Sequence, residues 1–271
     1  MLRRVVDRLL LLAVAGAVVI MVFRQFTDSM IFYPERGQSR SPSALGLSYE
    51  KIWLDAHGDR IQTWWVAGES AGPVIVMFHG NAGTIADRLE NVYEMVSRLG
   101  VTVLQVEYPG YGDSEGRPTE KSLFATGEAA LREARARAGA RPVVAFGRSL
   151  GGAVALEAAT RIPVDAIIIE SSFTTLGDMA ASTGIPLARL LVAYRFDALA
   201  AVGKLEVPLL IVHGDRDEVV PYEMAGRLFD AAPTRNKAMY TVEGGTHNTT
   251  WLVGGEGYWR VWTELLAGLD S

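Results

Sequence analysis

The chain contains no cysteine. That absence excludes disulfides, thiolate zinc sites, iron–sulfur clusters, a cysteine nucleophile and a lipidated-cysteine anchor. Histidine is scarce, with four among 271 residues. His79, His213 and His247 stand apart in sequence, so no metal site is indicated. No phosphate-loop or dinucleotide fingerprint occurs, and no cofactor is expected; Gly147–Gly152 has a serine where a dinucleotide loop needs glycine. Long basic runs are missing and the net charge is −5, which argues against a nucleic-acid partner. Charged residues at 21% beside 49% hydrophobic residues exclude intrinsic disorder.

Hydrophobicity is what the chain has in excess, with a mean hydropathy of +0.16. Part of it lies in Leu9–Phe23, a stretch without one polar side chain. Fifteen helical residues span roughly 22 Å, short of the ~30 Å hydrocarbon core. Val5, Val6 and Phe26 extend the stretch, and Arg8 and Arg24 can snorkel to the interfaces. A cleaved signal peptide also starts basic and apolar, but needs small residues at the end of the run. Here the end reads Met21-Val22-Phe23-Arg24, so an uncleaved anchor over residues 1–30 is the preferred reading. Arg3, Arg4 and Arg8 ahead of the span place the N-terminus in the cytoplasm and the body outside it. Arg24, Arg36 and Arg40 weaken that orientation.

The rest of the chain alternates strand and helix patterns. Tyr49–Leu54 and Ile61–Val66 predict a hairpin around His57-Gly58. Val74–Phe78 is a short, wholly apolar run, the mark of a strand buried on both faces, and Val101–Val106, Val143–Phe146, Ala166–Glu170, Val207–Val212 and Lys237–Val242 are further strands. Ala86–Leu99, Thr119–Ala138, Leu150–Thr160, Tyr222–Ala231 and Trp251–Leu269 have helical spacing. The pattern predicts an α/β, doubly wound, mainly parallel sheet spanning residues 31–271 as one domain. Ser171–Lys204 interrupts the rhythm with an apolar, helix-like stretch (Ile185, Leu187, Leu190, Leu191, Val192), read as a small cap.

Gly-x-Ser-x-Gly occurs twice, around Ser114 and around Ser149. A nucleophile elbow needs a strand running straight into a sharp turn and then a helix. Ser149 has that setting. Ser114 does not, because Pro109-Gly110 and Pro118 bracket it in a loop. A serine hydroxyl needs a base, and His247 lies where the chain order Ser, acid, His places it, between the last strand and last helix. His57 fits a solvated turn, His79 a loop brace and His213 a packed strand end. The acid should follow a strand between serine and histidine. Asp217 is preferred over Asp215 because it sits deeper in the loop; Glu170 remains an alternative. The backbone N–H of Leu150, next to the nucleophile, and that of Asn81, in the loop after Val74–Phe78, are the candidate oxyanion donors.

These residues resemble the α/β-hydrolase superfamily over residues 50–270, and within it an N-terminally membrane-anchored branch of serine hydrolases. The matching runs are His79-Gly80-Asn81-Ala82-Gly83 with Arg88, Tyr108-Pro109-Gly110-Tyr111-Gly112-Asp113-Ser114-Glu115-Gly116 and Phe146-Gly147-Arg148-Ser149-Leu150-Gly151-Gly152. Asp217-Glu218-Val219-Val220-Pro221, Gly245-Thr246-His247-Asn248 and the lead-in Ile31-Phe32-Tyr33-Pro34 complete them. The resemblance implies a Ser149–Asp217–His247 triad and an oxyanion loop at Asn81. Glu107 and Pro109 depart from it, standing where such proteins often have Asp and Arg. Some members of the branch resemble thioesterases acting on lipidated substrates, which the motifs do not carry over to this chain. The expectation is a single-pass, membrane-anchored serine hydrolase of ester or thioester bonds, taking a small or lipid-like acyl substrate. A peptidase and a non-catalytic binding module are the rivals.

Overall fold

The computed structural model describes Val14, Gly16 and residues 28–69, 71–184 and 192–269. The expected anchor therefore falls almost wholly outside the described residues, as does the apolar part of the expected cap at 185–191. Among the described residues, no helix is long and apolar enough to cross a membrane.

Tyr49–Ala56 (β1) and Asp59–Val66 (β2) form the antiparallel hairpin. Both turn residues have positive φ, 57° at His57 and 91° at Gly58, which matches the right-handed twist of the paired strands. Six parallel strands follow: Val74–Phe78 (β3), Thr102–Val106 (β4), Val143–Arg148 (β5), Ala166–Glu170 (β6), Leu209–Gly214 (β7) and Lys237–Val242 (β8). The eight strands make one sheet in the order β8-β7-β6-β5-β3-β4-β2-β1. Only β2 runs against the rest; β1, antiparallel to β2, points the same way as the six parallel strands.

Strand residues alternate between two faces, so every inner strand needs cover on both. Val74, Val76 and Phe78 of β3 join one apolar cluster, while Ile75 and Met77 join the other. Glu120–Ala138 (α2) and Leu150–Ala159 (α3) cover the first face through Leu123, Leu131 and Val154. Leu89–Leu99 (α1) and the last helix cover the second through Val92, Met95, Tyr258 and Trp262. The mainly parallel, doubly wound sheet is thus as expected. Between β6 and β7 the chain leaves the sheet as Leu176–Ser182 (α4) and Ala198–Val202 (α5); Glu223–Ala231 (α6) follows β7.

Some element ends differ from expectation, for local reasons. The helix expected from Ala86 opens with a 3-10 turn, Ile85–Arg88, capped by Thr84 and Asp87. Thr119 is the N-cap of α2, its hydroxyl accepting the Ser122 N–H. The final helix is two: Thr250–Val253 (α7) and Gly255–Ala267 (α8), broken at Gly255, whose φ is +50°.

Ile168, in the middle of β6 and fully buried, tests the two-faced core. Ile168→Ala should lower unfolding free energy by about 2–5 kcal/mol, read from urea denaturation, and Ile168→Val by about 0.5–1.5 kcal/mol.

Candidate active site

The turn from β5 into α3 is made by backbone crowding. Ser149 holds φ 54° and ψ −120°, a region that non-glycine residues rarely occupy. A Cβ on Gly147 would lie 2.2 Å from the Gly151 carbonyl oxygen, and one on Gly151 would lie 2.1 Å from that of Phe78. A Cβ on Gly152 would meet the Ser172 hydroxyl at 2.3 Å. Side chains are excluded at all three positions, and Ser149 is left at the tip. Its N–H donates to the Glu170 carbonyl at 2.9 Å, tying the tip to the end of β6.

Asp217 follows β7 and His247 follows β8, and the structure brings them together. The Nδ1 of His247 lies 3.0 and 2.9 Å from the two carboxylate oxygens of Asp217. A carboxylate accepts there, so Nδ1 carries the proton and Nε2 is left with a lone pair. Asp217 also accepts the N–H groups of Val219 and Val220 at 2.9 and 2.8 Å, and its other neighbour is His213 Nε2 at 3.3 Å. Burial works most strongly against the charge on Asp217. Hydrogen bonds from His213, His247 and the Val220 N–H outweigh it and hold the carboxyl well below the usual carboxylate range. Asp215 is engaged elsewhere, accepting the Gly244 N–H at 2.6 Å.

Arg148, the residue before Ser149, joins the elbow to the histidine loop. Its guanidinium donates to the His247 carbonyl, to Asn248 Oδ1 at 3.0 Å and, through Nε, to Glu170 at 3.0 Å. Glu170 is buried and also accepts the hydroxyls of Thr250 at 2.7 Å and Tyr258 at 2.6 Å. Burial, and next the Glu170 charge, push the Tyr258 phenol well above its ordinary value, so it stays a donor. Glu170 is therefore a brace and does not contact His247 through its side chain. The sequence marked Glu170 as a possible acid; the dependence of this brace on Arg148, Thr250 and Tyr258 joins elements far apart in the chain and has no local signal.

The loop after β3 runs beside Ser149. A Cβ on Gly80 would stand 3.6 Å from the Ser149 Cβ. The Gly80 carbonyl accepts His79 Nδ1 at 2.7 Å, and His79 Nε2 meets Glu107 at 2.9 Å. The peptide after Gly80 is trans, so its N–H, that of Asn81, points away from the held carbonyl. His79 is thus the loop brace expected. Leu150 opens α3, where a helix N–H has no acceptor within its own helix. Ser114, the other Gly-x-Ser-x-Gly serine, is buried, and its hydroxyl accepts the Gln62 N–H at 3.0 Å. His57 occupies the hairpin turn. Among the described residues, no three histidine, aspartate or glutamate side chains gather closely enough to hold a metal ion.

Residues 75–195 match the family model described as "Alpha/beta hydrolase family", and 185–251 match one described as "Serine aminopeptidase, S33". Alpha/beta hydrolase domain-containing protein WAV2 of Arabidopsis thaliana is 34% identical, over 94% of this chain and 91% of that protein. The chain belongs to the α/β-hydrolase family. Lysophosphatidylserine lipase ABHD12 of Danio rerio is 32% identical to this α/β hydrolase, over 67% of the chain but only 53% of that longer protein. Among solved structures, the Pyrococcus furiosus esterase Pf2001 has the same fold, with a TM-score of 0.75 at 17% identity over 88% of this chain and 98% of that one.

The lowered Asp217 acidity makes stability depend on pH with a fixed sign. Its ionised form is favoured by folding, so its contribution is complete above the unfolded value of about 3.9 and is lost as the pH falls below it. Asp217→Asn should be less stable than the parent by about 1–3 kcal/mol at pH 7, and urea denaturation at pH 3 should find that gap narrowed.

Proposed function

We propose that the protein is a serine hydrolase that cleaves carboxylic ester or thioester bonds through an acyl-enzyme. Ser149 is the nucleophile, His247 the base and later the acid, and Asp217 the carboxylate that orients and stabilises the imidazolium. The N–H groups of Leu150 and Asn81 receive the developing oxyanion. One observation carries the reading. Arg148, next to the strained Ser149, is hydrogen-bonded to the carbonyl of His247, whose ring is held by Asp217. The same ties that shape the elbow thus reach the histidine loop.

In the reaction the Ser149 oxygen attacks the acyl carbon as its proton passes to His247 Nε2. The tetrahedral adduct collapses when Nε2–H protonates the leaving oxygen or sulfur. Water, deprotonated by His247, then attacks the acyl-serine and regenerates the hydroxyl.

An acyl or lipid-like substrate is favoured by the rim. Val219 lies just past Asp217, and Leu252 and Val253 just past His247; they are 47%, 60% and 50% exposed. The lipase named among the relatives points the same way. The run at 9–23 is assigned as a single-pass N-terminal anchor with the body outside the cytoplasm, and 171–204 as a cap over the strand ends. A peptidase is the second reading, favoured by the serine aminopeptidase model at 185–251.

The full chain in detergent should react with a fluorophosphonate and hydrolyse p-nitrophenyl esters or acyl-thioesters of graded length. Ser149→Ala should abolish labelling and reduce kcat by about 10⁴-fold or more. Labelling that persists in Ser149→Ala would remove Ser149 as nucleophile. Turnover of aminoacyl anilides above that of every ester would replace the esterase reading with the peptidase one.

A further inference from the structure

The lead-in at 31–36 precedes every strand of the main sheet, yet its backbone is bonded to the loop beside Ser149. Tyr33 and Pro34 pair in parallel with Ala82 and Gly83. The Tyr33 N–H donates to the Asn81 carbonyl at 3.0 Å, and the Asn81 side chain donates to the Ile31 carbonyl at 2.9 Å. The Tyr111 hydroxyl donates to the same Asn81 carbonyl at 2.7 Å and stands 3.2 Å from the Tyr33 nitrogen. Further on, Gly112 N–H donates to the Glu35 carbonyl at 2.8 Å, and Arg36 donates to the Ser114 carbonyl at 2.7 Å. Phe32 is buried between Tyr194 and Phe196, with ring centroids at 5.5 and 6.2 Å.

The loop needs such a restraint. Glycines at 80 and 83 flank Asn81 and Ala82, and Gly83 has φ +73°, so the loop has little stiffness of its own. His79 fixes the peptide before Asn81, through the Gly80 carbonyl. Among the described residues, the peptide after Asn81 is fixed by groups outside the loop, Tyr33 N–H and the Tyr111 hydroxyl. With both peptides held, rotation about the Asn81 backbone is closed off and its N–H keeps one direction.

We infer that the lead-in segment 31–36, acting with Tyr111, is a positioning element for the oxyanion site: it clamps the Asn81 peptide so that the Asn81 N–H stays aimed at Ser149. This rests on the hydrolase reading above. Loss of an oxyanion donor costs about 100- to 1000-fold in kcat. A donor set loose but still present should cost less, about 10- to 100-fold.

The test uses the full chain, with active sites counted by fluorophosphonate titration so that misfolded protein drops out. Tyr33→Pro deletes the N–H that holds Asn81; Tyr33→Ala keeps it and removes the exposed ring, whose hydroxyl donates only to the nearby Met30 carbonyl. Tyr111→Phe keeps the buried ring and deletes the second donor. Tyr33→Pro and Tyr111→Phe should lower kcat per titrated serine by tenfold or more, leave KM within twofold, and weaken an alkyl trifluoromethyl ketone, whose adduct carries the oxyanion, by the same factor as kcat. Tyr33→Ala should match the parent. Unchanged kcat per site in both Tyr33→Pro and Tyr111→Phe overturns the inference, as does an equal loss in Tyr33→Ala and Tyr33→Pro. Absence of any titratable serine in the parent chain overturns instead the hydrolase reading on which the inference stands.

Discussion

Where β5 turns into α3, backbone touches backbone. Gly147, Gly151 and Gly152 each stand so close to a carbonyl or hydroxyl that a methyl group would overlap it. This contact forces Ser149 into its positive φ and brings α3 down against β3 and β6. The strain at one serine, of order 1–3 kcal/mol, is set against the burial of a helix whose residues 150–156 are all covered. The fold can hold that strain because α3 is anchored through its whole length, with Ala153, Val154 and Leu156 fully or nearly fully buried.

A second layer of constraint is polar. Arg148 and Glu170 are both largely removed from water, and such a pair gains little net stability over apolar packing. What it supplies is position. Glu170 gathers Arg148, Thr250 and Tyr258, and Arg148 in turn holds the His247 loop. Strand ends from β5 and β6 and the start of the last two helices are thereby fixed to one another at the carboxyl edge of the sheet. Binding sites of open parallel sheets form at that edge, because loops leave it in several directions and can converge.

The sheet was legible in the sequence because strands buried on both faces read as unbroken apolar runs, Val74–Phe78 and Ala166–Glu170 above all. The elbow was legible because Ser149 had an apolar run before it and a helix-forming run after it, whereas Ser114 had prolines. The pairing of Asp217 with His247, in loops after successive strands, matches the chain order from which both were chosen. Ends were less so: Gly254-Gly255 inside an otherwise helical stretch gave a break that periodicity alone passed over. The brace on Glu170, the approach of His213 to Asp217 and the grip of Ile31 and Tyr33 on Asn81 were not legible. The first and last join residues brought together only by the crossovers of the sheet, whereas His213 and Asp217 are four residues apart and meet through the fold of one loop.

The glycine contacts at the elbow also divide the molecule by how freely it can vary. At 147 and 151 the backbone admits one side chain, hydrogen, and at 152 the Ser172 side chain takes the space a methyl group would need. At Val219, Leu252 and Val253 half of each side chain meets solvent, and many residues fit without disturbing the core. Sequence change is therefore open at these exposed positions and closed at the elbow. The turn can stay frozen while the surface around it drifts.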